Sequence, residues 1–144
     1  MSETLENYAD VYADAVYRAV GVAFALSPTP TGERLFGGRP FVLVTAYNPR
    51  SVALPDEENR QRNAALEEEL QSRGLEYGPS SGASRDGSWE EPGFVVFDLT
   101  ADEARALGRR YEQHAVVWGE GERVALLWCE DGRTETFYPR LEAA

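Results

Sequence analysis

The run Phe41-Val42-Leu43-Val44-Thr45-Ala46-Tyr47-Asn48-Pro49 is apolar for most of its length and stops abruptly in a polar, turn-forming tripeptide. Near-continuous apolar character over residues 41–47 predicts a strand buried on both faces, in the middle of a sheet rather than at its edge. Asn48-Pro49 ends it and sets Tyr47 and Asn48 at one rim.

Downstream, Pro55 followed by Asp56, Glu57 and Glu58 opens a helix with acids at the positive end of its dipole. Gly74 stops it after Arg73. Asn59, Asn63, Leu66 and Leu70 fall at i, i+4, i+7 and i+11, so one face begins with two amides and continues as leucines against the sheet. A short strand over residues 75–77 and a Gly/Ser-rich, mobile loop over residues 79–88 are expected next. Trp89-Glu90-Glu91-Pro92 then leads into a second central strand over residues 93–97. Thr100-Ala101-Asp102-Glu103 has the form of a capping box, opening a helix that buries Ala104, Leu107 and Tyr111 and ends near Glu112. Two strands, residues 114–118 and 122–128, flank a Gly119-Glu120-Gly121 turn, and Asp131-Gly132 turns the chain into residues 134–138. Upstream, residues 2–15 predict an amphipathic helix with Ser2 as N-cap and Leu5, Tyr8, Tyr12 and Val16 at helical spacing. Residues 17–26 read as one strand with no assigned place, before a loop to Pro40.

From Phe41 to Trp118 the order is strand, helix, strand, strand, helix, strand. That order predicts an α+β fold with a ferredoxin-like split βαβ core, β-α-β-β-α-β, extended by an N-terminal helix and strand and a C-terminal β-hairpin. The 144 residues form one domain, 1–144. In such a sheet the first core strand lies between the third and the fourth. The end carrying Tyr47 and Asn48 then meets the strand entries at Trp89, Glu90 and Glu91 and at Gln113 and His114, with Asn59 and Asn63 rising from the same rim.

Composition narrows the function classes. The formal net charge is −11, from 25 acids and 14 bases, all of the bases arginine, which speaks against tracking duplex nucleic acid. One cysteine, Cys129, cannot form an internal disulfide. With no leader-like or membrane-spanning apolar segment, the expectation is a soluble cytoplasmic protein outside the membrane. His114 is the only histidine, so neither a catalytic Ser-His-Asp set nor a zinc site with three or four protein ligands is expected, and no cofactor is implied.

The set Thr45-Ala46-Tyr47-Asn48-Pro49, Glu58-Asn59, Asn63 with Leu66 and Leu70, Trp89 with Glu91-Pro92, and Gln113 with Ala115 resembles the bacterial family catalogued as domain of unknown function 3293. The resemblance runs from about Tyr8 to Val117. In that family a serine usually follows the Trp-x-Glu-Pro element, and Gly93 stands there here. The family name supplies no reaction, so the resemblance implies a set of site residues and not their task.

Three functional readings follow from these residues. The first is a non-catalytic binding module whose rim of Tyr47, Asn48, Asn59, Asn63, Trp89, Glu91 and Gln113 holds a small polar ligand or a peptide. The second is a small enzyme with Glu91 as general base, alone or paired with His114. The third is a homo-oligomer or adaptor that contacts partners through edge strands or the N-terminal helix. For Asn48 a turn-stabilising role, for Asn59 and Asn63 a loop-to-helix tie, and for Trp89 a packing anchor stand beside the ligand-facing roles.

Overall fold

The computed structural model describes residues 5–143. Three helices, α1 (Leu5–Asp14), α2 (Asp56–Ser72) and α3 (Ala101–Arg110), accompany eight strands. These are β1 (Val16–Ala19), β2 (Val22–Ser27), β3 (Phe41–Val44), β4 (Tyr77–Ala83), β5 (Glu90–Phe97), β6 (Ala115–Glu120), β7 (Arg123–Trp128) and β8 (Thr134–Leu141). The expected Ser2 cap and the side chains of Leu5 and Tyr8 lie outside the described residues.

The strands pair in the order β1-β2-β8-β7-β6-β3-β5-β4, and β4 pairs back onto β1. The result is a closed antiparallel β-barrel. This overturns the expected open ferredoxin-like sheet and the α+β class with it. The neighbours expected for β3 are present, with β5 on one side and β6 on the other, both antiparallel. What closes the sheet lies outside that core. Residues 17–26 are not one strand but the hairpin β1–β2, turned at Val20 (φ 40°) and Gly21 (φ 84°). Its first strand pairs with β4 (Tyr17 opposite Gly82) and its second with β8 (Leu26 opposite Pro139). The Gly/Ser-rich stretch expected as a mobile loop is mostly β4 itself, turning only over residues 84–89. All eight strands have two neighbours, so the edge strands invoked for self-association are paired within the chain.

Alternation along the strands separates two apolar layers. One, with Tyr17, Phe24, Phe41, Leu43, Val95 and Leu126 among its members, fills the barrel. The other joins the outward residues Val42, Val44, Val96, Val116 and Leu127 to Leu66 and Leu70 of α2 and to Ala104 and Leu107 of α3. Phe41–Val44 therefore reads as continuously apolar because it is covered on both sides, by the barrel interior and by the helices. The capping box of α3 is formed, with Thr100 Oγ1 accepting from the Glu103 N–H and Glu103 Oε1 accepting from the Thr100 N–H.

The barrel's ends differ. One is stoppered by the short 3-10 turn Leu35–Gly38, where Phe36 meets Phe41 and Phe97 edge-on at 5.0 and 5.3 Å. The other carries the end of β3, the start of β5 and the start of β6, with α1 leading directly into β1 beside it. Among the described residues, no helix is long and apolar enough to cross a membrane.

α3 sits close on the barrel because Gly108 has no side chain. A Cβ there would lie 2.6 Å from Val116 Cγ1 and 2.7 Å from Cys129 Sγ. Gly108→Ala is therefore expected to destabilise the protein by about 1–3 kcal/mol in urea unfolding through overpacking, against a helix-propensity gain of ~1 kcal/mol. A neutral or stabilised variant would mean that α3 stands further off.

Candidate functional site

β3 leaves its ladder after Val44, opposite Phe94, and the chain from Thr45 to Leu54 is then held by side chains. Thr45 Oγ1 donates to the Pro92 carbonyl (2.7 Å) and accepts from the Tyr47 N–H (3.1 Å). Asn63 accepts from the Ala46 N–H (2.8 Å) and donates to the Pro92 carbonyl (2.9 Å). Arg62 Nε donates to the Ala46 carbonyl, and Gln113 Nε2 donates to the Tyr47 carbonyl (3.1 Å). Asn59 Oδ1 accepts from the Asn48 N–H and its Nδ2 returns a bond to Asn48 Oδ1, both at 2.8 Å. Every main-chain N–H and C=O from Ala46 to Asn48 thus has a partner, the Asn48 carbonyl taking the Ser51 N–H.

This lock explains why a polar stretch can turn sharply on the sheet's rim. Asn48, Arg50 and Ser51 have φ of 45°, 52° and 61°, a left-handed backbone that costs roughly 1–2 kcal/mol per non-glycine residue. Filled hydrogen bonds offset that cost. Asn48 keeps one donor for the barrel, and its Nδ2 reaches Glu91 Oε2 at 3.1 Å.

Glu91 and Gly93 are on the inward face of β5, in step with Val95. Across the ladder they face Gly82 and Ser80 of β4, small residues that leave the barrel mouth unfilled. A cavity of about 60 Å³ results, walled by Tyr12, Tyr17, Thr45, Ser80, Trp89 and Gln113 around Glu91. It continues outward into a groove of about 390 Å³ that shares Tyr12, Trp89 and Glu91 and adds Asn48, Ser51 and Ala53. Tyr17 is buried, and its hydroxyl donates to the Tyr12 carbonyl at 2.6 Å. Burial, then the neighbouring Tyr12, holds the Tyr17 phenol protonated well above its ordinary range. Burial also raises the Glu91 carboxyl above its usual value, and the Asn48 hydrogen bond only partly opposes it. Gln113 is 9% exposed and donates to the Tyr47 and Tyr111 carbonyls. Its Oε1 receives no hydrogen bond from any described residue.

The structure therefore brings Asn48, Trp89, Glu91 and Gln113 to the cavity or its groove. Asn59 and Asn63 stand behind it and hold the loop. Tyr47 contributes its carbonyl, while its side chain lines neither space. His114 precedes β6 and lines neither space. Tyr12, Tyr17 and Ser80 were missed in the sequence. The signal for Ser80 was the spacing Gly78, Ser80, Gly82, one face of a strand read as loop composition. Among the described residues no cluster of three or more histidine, cysteine or acidic residues is placed to hold a metal. Cys129 is fully buried, and burial pushes its thiol up to about 11.

A family model described as protein of unknown function (DUF3293) matches residues 44–116. The chain belongs to this family. The matched segment runs from the last residue of β3 into β6, so all seven rim residues read from the sequence fall inside the DUF3293 region, whereas Tyr12 and Tyr17 precede it. No curated protein and no solved structure matches the chain. Two residues after Glu91, a Cβ on Gly93 would lie 2.4 Å from the Val44 carbonyl oxygen and 3.0 Å from Thr45 Cβ. β3 and β5 approach here to a distance that admits only glycine.

Two measurements check this geometry. Asn59→Ala strands the half-buried Asn48 N–H and removes the donor to the Leu54 carbonyl and one of the two donors to Asn48 Oδ1, and is expected to cost about 2–3 kcal/mol, read by thermal or urea unfolding. For Glu91, a carboxyl raised in the folded state favours folding below its unfolded pKa and loses that contribution as pH rises through the folded value. Glu91→Gln should then melt above the wild type at pH 7, and the gap should shrink toward pH 4. A wild type more stable at pH 7 would show that the carboxylate is not destabilised there.

Proposed function

We propose that the chain is a binding module that takes a small polar ligand at the open end of the barrel. Glu91 and the Gln113 amide oxygen accept hydrogen bonds from it, Tyr12, Tyr17 and Trp89 supply the walls, and the Asn48–Asn59–Asn63 lock fixes the acceptors in place. The observation that carries this reading is the contrast between Glu91 and its surroundings. Around it almost every polar group is matched by the chain itself, yet this half-buried carboxylate receives only the Asn48 amide among the described residues. Eight-stranded barrels have interiors wide enough for side chains or one small ligand, and here the side chains stop short of the mouth.

The second reading, Glu91 as general base, draws on the same raised carboxyl. It requires a substrate in the same cavity and so comes after binding. Isotope-labelled protein titrated with small molecules of differing charge tests the first reading. A ligand should move the Trp89 indole and Gln113 side-chain amide resonances together. It should leave the Trp118 indole, which donates to the Leu99 carbonyl on the outer face, in place. Glu91→Ala should abolish those shifts with little change in Tm. Shifts confined to another surface, or binding untouched by Glu91→Ala, would overturn the reading.

A further inference from the structure

Resting on that reading, the charge and the walls of the mouth define the chemical class of its ligand. Glu90 and Glu91 line the cavity and groove, and no arginine does. A second groove, of about 440 Å³, lies across Trp89 and Val11 and adds Asp10, Asp14 and Asp86. Its one cation, Arg85, is drawn to Glu142 at 2.8 Å. The arginines of the neighbouring loop and helix are turned elsewhere. Arg50 pairs with Glu130 and Glu112, and Arg62 binds the Ala46 and Tyr111 carbonyls. An anionic ligand would meet carboxylates with no cation to balance them. A wholly apolar one would bury Glu91 further without a partner.

Aromatic faces and a carboxylate together suit a positive charge. Tyr12, Tyr17 and Trp89 wall the space, and Tyr12 is steadied by an edge-on contact with Trp128 at 5.9 Å between ring centres. Gln113 lines the same cavity with its Nε2 spent on the Tyr47 and Tyr111 carbonyls, so its Oε1 is left to accept from a ligand that carries a hydrogen-bond donor. A cavity of about 60 Å³ admits a head of only a few heavy atoms, and the groove of about 390 Å³ takes the body.

We infer that the barrel mouth binds an organic ammonium cation with at least one N–H, its head between Glu91 and Gln113 Oε1 and against the Tyr12 and Trp89 rings. The donor requirement separates this from a cage for quaternary ammonium groups. The same head could come from a free amine or from a lysine side chain.

Butylammonium, tetramethylammonium, butanol and butyrate, each titrated into the full chain and followed at the Trp89 indole, test the class. Butylammonium is expected to bind, with butanol and tetramethylammonium weaker by about tenfold or more, as for loss of a charged hydrogen bond. Butyrate should leave the signal unmoved. Glu91→Gln, which keeps the fold, should lower butylammonium affinity about tenfold and leave butanol unaffected. A lysine-centred tripeptide distinguishes the sources, since tighter binding than butylammonium assigns the head to protein and weaker binding to a free amine. If butanol, butyrate or tetramethylammonium matches butylammonium at Trp89, the ammonium assignment is wrong and the binding module stands. If no compound of any charge moves Trp89 or Gln113, both fail.

Discussion

Closure of the barrel through the β1–β4 ladder is the constraint on which the rest depends. Without it, Tyr17, Phe24, Phe41 and Leu126 would line an open apolar sheet face, and α1 would have no barrel end to lie beside. With it, that face becomes an interior, and the helices need cover only the outer side of β3, β5, β6 and β7. Closure also assembles the site from two distant parts of the chain. Glu91, Trp89 and Gln113 belong to the DUF3293 segment, and Tyr12 and Tyr17 come from α1 and β1. They meet because Val16 pairs with Ala83 and Tyr17 with Gly82, next to Glu90 and Glu91 on the neighbouring strand.

The second organising feature is the exchange of a backbone ladder for a side-chain one at the end of β3. Pro92 has no N–H to offer, and its carbonyl collects Thr45 and Asn63 instead of a strand. The loop that follows is strained, and amides from α2 and from Gln113 hold it there. Such a network is costly if half made, because each unmatched buried group carries its own desolvation penalty. The full pairing of the loop backbone from Ala46 to Asn48 makes Glu91 stand out, attached to the lock by one bond from Asn48.

Local chemistry was legible in the sequence where a residue's role is set within a turn or two of chain. The α3 capping box, the acids and leucines of α2 and the central placement of β3 follow from spacing alone. The convergence of Asn48, Trp89, Glu91 and Gln113 followed from the pairing of β3 with β5 and β6. What was not legible was long-range pairing masked by composition. Val20-Gly21 breaks residues 17–26 into a hairpin through two positive-φ residues, one of them a valine, which hydrophobic patterning reads as strand interior. Tyr77–Ala83 has too many glycines and serines for strand propensity, and it is a strand because Val16–Ala19 and Glu90–Phe97 flank it on either side. Both misreadings sit on the two strands that close the barrel, so the error in fold class came from one place.

The two ends of the barrel argue that the open mouth is not a packing defect. At the far end the chain folds Leu35 and Phe36 into the opening, and Gly119 is bare so that the Phe41 ring can lie where a Cβ would be, 2.4 Å from its Cε1. The sequence is thus able to fill a barrel end with aromatic rings. At the mouth it sets Gly82 opposite a carboxylate, with Ser80 two residues along the same strand. The raised Glu91 carboxyl there carries a cost at neutral pH. A mouth left open and an underpartnered acid at one spot, beside a loop whose backbone is fully paired, are what a fold retains when both serve something other than stability.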